Sequence, residues 1–499
     1  MQCLSSAKWT RFDGFLLVYF YLPVPIFLLG FFSPWIGVPA AAMAIVAFVK
    51  SAPFFSIPTP HVACGVSAGT ALLIIFAAAW TSLGGAGHTF YANEIDWVTR
   101  YAVLRDLIVF DWPPRYFDEV GNELILRAPF GYYMVPAVLG KLAGIAWADL
   151  FLMFWTWLGV TLFFVANFAG SMTRRIVVLT LFAIASGLDI VGFLWMSDGY
   201  IPSLGYHIEW WSNRMKYSSN STMLYWIPNH ALPGWALGAW LWRFQHSPVL
   251  LRRLPLIALV AITWSPLTVV GALPMASVLA WRFRRELLDH GDDFQRGLVY
   301  VFLPGFLIAS YLVMSAGNIN SWAFAPPSGT GFLWWQVTLL FIVLEVLVFG
   351  VLAQKCSESD VLTASLLMLC LLPFFRFGPA NDLVTIAGIP GLTIIWLTLI
   401  NELASPLSQR RLSPGLRAVL FGSLLLGAVT PFQETYRALT EKHWSPDLSL
   451  ASPVAMRGFQ AHYFASAANW LSPALKESRP SSAEEINLKN MNHHKKEND

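Results

Sequence analysis

The sequence predicts an all-α polytopic membrane protein, and three observations support that fold class. Apolar runs of about 17 to 25 residues recur along the chain, the length needed to cross a hydrocarbon core of roughly 30 Å. Only 12% of the 499 residues are charged, against about 25% in an ordinary soluble protein. Mean hydropathy is +0.56. Unbroken apolar runs also argue against a β-barrel, whose strands alternate in short segments.

The first run follows Lys8 and Arg11 and has no small-residue cleavage site after it, so it reads as a retained span, not a removable signal peptide. Spans are expected over 14–32, 34–50, 62–82, 149–168, 175–196, 227–246, 298–316, 332–354, 360–376, 383–400 and 415–432. The stretch 254–281 is too long for one upright helix, and Pro266 and Pro274 interrupt it. With that stretch the total is about 11–13 transmembrane helices.

Short cytoplasmic loops carry an excess of Lys and Arg. Lys50, Arg174, Arg175, Arg252, Arg253, Arg282, Arg285, Lys355, Arg410 and Arg411 can all lie on that side under two conditions. The stretch 254–281 must enter and leave there, as two half-helices broken near Pro266. In addition 130–147, "FGYYMVPAVLGKLAGIAW", must lie along the outer interface, where Tyr132, Tyr133 and Lys141 suit the headgroup level. The expected organisation is then N-terminal helices over 1–82, an outer loop with interfacial helices over 83–147, and a bundle over 148–432 with outer loops at 197–226, 317–331 and 376–382. A small outer segment follows over 433–476. The tail 477–499 lacks apolar residues for a core and is expected to be disordered. The expected location is a bacterial inner membrane, with the N-terminus cytoplasmic and the polar loops on the periplasmic or extracellular side.

A net charge of +3 gives no argument for a nucleic-acid partner. The four cysteines, Cys3, Cys64, Cys356 and Cys370, fall in no loop placed outside, so no structural disulfide is expected. No internal repeat is visible.

The outer loops gather the polar residues. "GGAGHTFYANEIDWVTRYAVLRDLIVFDWPPRY", from Gly84 to Tyr116, holds one Glu, three Asp and three Arg directly after a span. No Gly or Pro occurs from Glu94 to Phe110, and Trp97, Tyr101, Leu104 and Ile108 recur at helical spacing. Asp96 and Arg100 are four apart, the spacing of a helical ion pair. Glu94 and Asp96 begin this amphipathic helix, where its dipole favours anions. Such a helix can be an interfacial element whose charges simply face water. Here, though, Glu-x-Asp lets both carboxylates reach one point, and Trp112 with two prolines stiffens the chain beyond the helix.

The loop Ser197–Trp226 supplies Asp198, His207, Glu209, Trp210, Trp211, Arg214, Lys216, Ser218, Ser219 and Asn220. Paired tryptophans beside carboxylates and amides suit a sugar, whose apolar face stacks on indole. They equally suit an aromatic belt at the membrane surface. Asn229 and His230 open the next span, where a lone histidine is more often structural. Asn381 and Asp382 lie at the end of another span, where either could cap the helix. Asp189 and Glu345 are carboxylates inside apolar runs, positions that are usually paired, protonated or facing a cavity. Asp189 is close enough to the outer end of its run to support a site; Glu345 has no partner that the sequence names.

"DW…RDL…WPPRY", "FGYYMVPA", "SGLDIVG", "IEWW", "YSSNSTMLYWIPNHALPGW" and "GPANDLV…IPGL" resemble a group of bacterial polytopic membrane proteins over about residues 85–400. In loop plan the chain resembles the GT-C fold glycosyltransferases, which include protein O-mannosyltransferases, the aminoarabinose transferase of lipid A and oligosaccharyltransferases. That resemblance implies a GT-C-like bundle with amphipathic helices in a long first outer loop. It implies transfer of a sugar from a polyprenyl-phosphate-linked donor, with inversion, to a glycan, lipid or protein acceptor of the cell envelope.

Carried onto this chain, Asp96 is the catalytic general base and Glu94 the first member of the acidic pair, the place for a divalent cation (Mg or Mn) if one is used. Asp is commoner than Glu at that first position. Arg100, Arg105 and Arg127, with Tyr132 and Tyr133, are the candidates to bind the donor phosphate, since guanidinium matches phosphate oxygens in pairs. His207, Glu209, Trp210, Trp211, Asn220, Asn229, His230, Asn381 and Asp382 are candidate substrate contacts, and Asp189, Asp106 and Trp112 candidate supports. Two other function classes remain open: a transporter or flippase of a lipid-linked glycan or polar solute, and a non-catalytic envelope-assembly protein. Transporters commonly show repeated halves and broken helices. The Pro266 break fits that pattern; the absence of a repeat and the one-sided polar loops do not.

Overall fold

A computed structural model describes residues 9–51, 67–90, 94–117, 121–212, 215–289, 291–314, 334–377, 381–441 and 463–478. Loop 317–331, Arg214 and the tail beyond 478 therefore lie outside the described residues, as do Cys3 and Cys64. The described chain is mostly helical, and seven of its helices are long and apolar enough to cross a membrane: Arg11–Phe31, Pro34–Ser51, Ile145–Asn167, Phe294–Val313, Trp334–Cys356, Asp382–Ala404 and Pro414–Thr440.

In chain order the first helices are α1 (Arg11–Tyr21), α2 (Pro23–Phe31), α3 (Pro34–Ser51), α4 (Ala68–Ser82), α5 (Glu94–Val109), α6 (Met134–Ala143) and α7 (Ala148–Asn167). Next come α8 (Met172–Ile184), α9 (Asp189–Met196), α10 (Asn220–Trp226), α11 (Pro228–Arg243), α12 (Leu254–Trp264), α13 (Pro266–Arg282) and α14 (Arg284–Asp289). The series ends with α15 (Gly291–Val313), α16 (Trp334–Phe341), α17 (Val348–Cys356), α18 (Asp360–Leu371), α19 (Asp382–Ala404), α20 (Pro414–Gly427) and α21 (Val429–Thr440). Serine starts many of them: Ser67, Ser171, Ser219, Ser359 and Ser413 each accept a backbone N–H of the first turn, which otherwise has no partner inside the helix.

Helix α19 is the axis. Its residues are buried nearly throughout, and α8, α11, α13, α17 and α18 pack around it. Small residues permit that: a side chain at Gly271 of α13 would strike the Ala387 carbonyl of α19.

The break near Pro266 is present, with α12 ending at Trp264 and α13 starting at Pro266. Helix α6 has ten residues, roughly 15 Å, about half of a hydrocarbon core. Its Lys141 Nζ donates to the carbonyls of Ile108 and Phe110 at the end of α5.

The single span expected over 175–196 is instead two helices, α8 and α9, with residues 185–188 between them. Gly187 leaves that backbone room, and the Ala185 carbonyl turns out to accept the Asn220 N–H at 3.1 Å. A second irregularity is a π-helical turn, Ile342–Leu347, between α16 and α17.

Residues 83–147 and the C-terminal segment also contribute strands that helical periodicity does not anticipate. β1 (Arg115–Phe117) pairs antiparallel with β2 (Glu123–Leu126), and β2 with β3 (Phe464–Ser466). The segment after β3 runs on beside α2: the Lys476 N–H donates to the Phe31 carbonyl, and the Ser33 N–H to that of Ala474.

Two ends of the bundle differ in chemistry. One gathers Asp13, Arg243, Arg253, Arg174, Arg282 and Arg410, where Arg243 makes a 2.6 Å ion pair with buried Asp13 and Arg174 reaches the Ala404 carbonyl at the end of α19. The other gathers α5, the small sheet, the 197–226 loop, the start of α19 and α21.

Candidate functional site

Helix α5 brings the acidic pair to this second end. Its backbone starts at Glu94, whose side chain lies outside the described residues. Asp96 is 35% exposed, with Oδ1 3.9 Å from Arg100 Nη2 one turn on. Arg100 itself is only 4% exposed. Its Nε donates to the Trp226 carbonyl at 2.9 Å and its Nη1 to Asn229 Oδ1 at 2.8 Å.

The reason for this docking is local. Helix α10 stops at Trp226, so its last carbonyls lack helical partners. Arg100 takes one of them, and Trp97 Nε1 takes the next, donating to the Tyr225 carbonyl at 2.7 Å.

Four further segments meet Arg100 and Asp96. The Tyr133 phenol is buried against Arg100; burial pushes its pKa up, and the guanidinium opposes that. Tyr463, from the segment bearing β3, interacts with Arg100, Tyr133, Asp96 and Asp382, and burial holds its phenol above the usual range. His230 interacts with Arg100 and places Nδ1 2.8 Å from Ser265 Oγ, at the α12–α13 break. Asp382, first residue of α19, interacts with Asp96, Lys216 and Arg100.

Lys216 connects this group to an aromatic wall. Its Nζ lies 5.5 Å from the Trp226 ring and 6.0 Å from that of Trp210. Among the described residues it makes no hydrogen bond and no ion pair. Trp210 is 52% exposed and edge-on to Trp226. Trp226 is fixed from behind: its Nε1 donates to Glu434 Oε2 at 2.8 Å, and His207 stacks on it. His207 Nδ1 is 2.6 Å from Glu434 Oε1, with Arg437 3.7 Å from the same carboxylate. A half-exposed carboxylate, an ammonium with open hydrogen-bonding capacity and an exposed indole face thus share one end of the protein.

Other residues singled out in the sequence lie elsewhere. Arg105 and Asp106 are buried with Tyr116, roughly 13 Å along α5 from Asp96. Burial raises the Asp106 pKa to about 7, against the pull of Tyr116 and Arg105. Arg127 Nε donates to the Leu312 carbonyl at 2.7 Å, and Tyr132 OH bonds Thr156 Oγ1 at 2.6 Å. Trp112 packs on Gly30 and donates to the Leu107 carbonyl. Asn220 is engaged at both ends of its amide, by the Phe182 carbonyl and Trp235 Nε1. Asn381 takes a left-handed backbone (φ +56°) and accepts from Phe377 N–H; its side chain does not cap α19. Glu209, Trp211 and Asp189 are buried together in a separate group with Glu345.

Lys216, Glu434, Arg437 and Tyr463 belong to the site without having been singled out as site residues. Lys216 carried a signal, as a cation six residues after Trp210 in a tryptophan-rich loop. Glu434 and Tyr463 carried none, since only tertiary packing brings them here.

The described chain is a helical bundle with seven helices long and apolar enough to cross a membrane, the composition of a polytopic membrane protein, and a polar site at one end. The chain matches no protein-family model, no curated protein and no solved structure.

Proposed function

We propose that the protein is a GT-C-like glycosyltransferase of a bacterial inner membrane. In this reading it moves a sugar from a polyprenyl-phosphate carrier to an envelope acceptor on the non-cytoplasmic face. The observation that supports this most is the Asp96–Arg100 pair grouped with Lys216 and Trp210 through Asp382, which interacts with Asp96, Arg100 and Lys216. A carrier confined to the bilayer requires its base and its phosphate contact near the membrane surface. Helix α5, expected as an amphipathic surface helix, is instead buried on all sides from Thr99 to Ile108 because other elements pack round it, and it exposes Asp96 at its start.

In this reading Asp96 Oδ accepts the proton of the acceptor hydroxyl. The hydroxyl oxygen then bonds to the anomeric carbon from the face opposite the phosphate, as the carbon–oxygen bond to the carrier phosphate breaks. Inversion follows from that in-line geometry. Lys216 Nζ balances the charge growing on the departing phosphate, and the exposed Trp210 face carries the apolar side of the sugar. Arg100, one turn along α5, holds Asp96 in place. Among the described residues no three His, Cys, Asp or Glu side chains are grouped as a metal site, and the Glu94 side chain lies outside them.

A transporter or flippase of a lipid-linked glycan is the second reading. The interruption at 185–188 followed by Asp189, and the π-helical turn carrying Glu345, favour it. Purified full-length protein in detergent separates the two, because detergent abolishes sidedness. Release of free polyprenyl phosphate from a polyprenyl-phosphate sugar, dependent on added acceptor, supports transfer. Donor binding without release supports the flippase.

A further inference from the structure

A second acidic group, unused by the transfer reading, is buried where α9 packs against the 197–226 loop and the Ile342–Leu347 turn. Asp189, Glu209 and Glu345 are each 1% exposed or less and interact electrostatically with one another. Asp189 Oδ2 accepts from Ser186 Oγ at 3.1 Å and Thr430 Oγ1 at 2.8 Å. Glu209 Oε1 accepts the Ser219 N–H at 2.9 Å.

Glu345 differs from both. Neither of its carboxylate oxygens has a hydrogen bond of ordinary geometry. The polar groups it faces are the Asp189 carboxyl and the Trp211 indole N–H, and that N–H also lacks an acceptor. Its carboxylate presses on Gly187, where any side chain would collide with Oε2.

Two backbone irregularities converge there. One is the α8–α9 interruption that places Asp189 at the start of α9; the other is the π-helical turn of Glu345. The Leu188 N–H, donating to the Leu344 carbonyl at 3.4 Å, joins them. π-helical turns recur at functional sites.

Among the described residues the charges around Glu345 are all of one kind. Among the described residues no Lys, Arg or His forms an ion pair with any of the three carboxylates. The remaining titratable neighbours are the Tyr217 phenol and, beyond it, the Cys370 thiol, which bring no positive charge. Three carboxylates in a low-dielectric interior without a cation cannot all ionise together. Nor are they grouped as a metal site.

We propose that Glu345, facing Asp189, is an exchangeable-proton site, whose carboxyl holds a proton that is lost to or regained from water. This goes beyond sugar transfer, and the test reads it without any substrate. The full-length protein in lipid is followed by infrared spectroscopy as pH rises, with wild type compared against Glu345→Gln. The expected result is a protonated-carboxyl C=O band present in wild type and missing in the variant, which shifts in D2O and disappears at alkaline pH.

Asp189→Asn provides a second variant should Glu345→Gln fail to fold. In that variant the Glu345 band is expected to move in frequency, because the carboxyl it faces has been replaced by an amide. The inference is overturned if neither variant alters the carboxyl region, or if the band ignores D2O and pH. It is also overturned if sodium at constant pH removes the band, since the ligand is then sodium.

Discussion

Arg100 Nη1 and Asn229 Oδ1 are 2.8 Å apart, both buried, joining the helix of the first polar loop to the start of α11. Arg100 is therefore the side chain that decides where Asp96 stands. A buried guanidinium that loses an acceptor costs about 1–3 kcal/mol or more. Asn229→Ala is expected to destabilise the protein by that order and to lower activity, measured by thermal unfolding in lipid. Arg100→Lys does not restore either, because a point ammonium cannot donate to the Trp226 carbonyl and Asn229 at once.

Asp106 makes stability depend on pH. Its folded pKa is about 7, above its ordinary value of 3.8, because burial penalises the charged form. The folded state then holds a proton that the unfolded chain releases, so stability falls as pH rises between those values. The contribution is complete below pH about 4 and gone once pH passes about 7. Thermal unfolding of Asp106→Asn across pH 5 to 8 is expected to show a flatter profile and higher stability than wild type at the alkaline end.

His207 and Glu434 form the support behind Trp226. Removing the imidazole in His207→Ala leaves a buried carboxylate short of a 2.6 Å partner. A loss of about 1–3 kcal/mol is expected, with Trp210 fluorescence shifted as the wall loosens. His207→Phe keeps the stacking on Trp226 but not the donor, and is expected to recover only the spectral part.

The two ends of the bundle are expected to face opposite sides of a membrane. Single cysteines at exposed Asn122 and Tyr200 should react with an impermeant thiol reagent in intact cells, and one at exposed Ser408 only after lysis. Labelling of all three from one side contradicts that arrangement.

Much of the helical layout was legible in the sequence because hydropathy reports burial in lipid directly. The Pro266 break was legible because proline states a backbone fact locally. The interruption before Asp189 was not. Ser186 and Gly187 lie in an apolar run, and what holds them open is Glu345, more than 150 residues away. The sheet was hidden for the same reason, since β2 needs a partner strand at Phe464–Ser466. In the site, the i, i+4 pairing of Asp96 and Arg100 is a local signal. The arginines read as phosphate ligands were chosen by charge alone, and charge does not reveal that Arg100 and Arg127 already donate to backbone carbonyls. Lys216 is visible in the sequence only as one cation in a tryptophan-rich loop, because its place beside Trp210, Trp226 and Asp382 is a property of the packed protein.

Asp96→Asn provides the most direct measurement, because the amide keeps the shape and removes the base. With the variant at wild-type level in the membrane, purified and supplied with a polyprenyl-phosphate sugar and an acceptor extract, release of polyprenyl phosphate should fall at least about a hundredfold, the typical contribution of a general base. Donor binding should remain. Undiminished release from the variant would contradict the account and remove Asp96 from the chemistry.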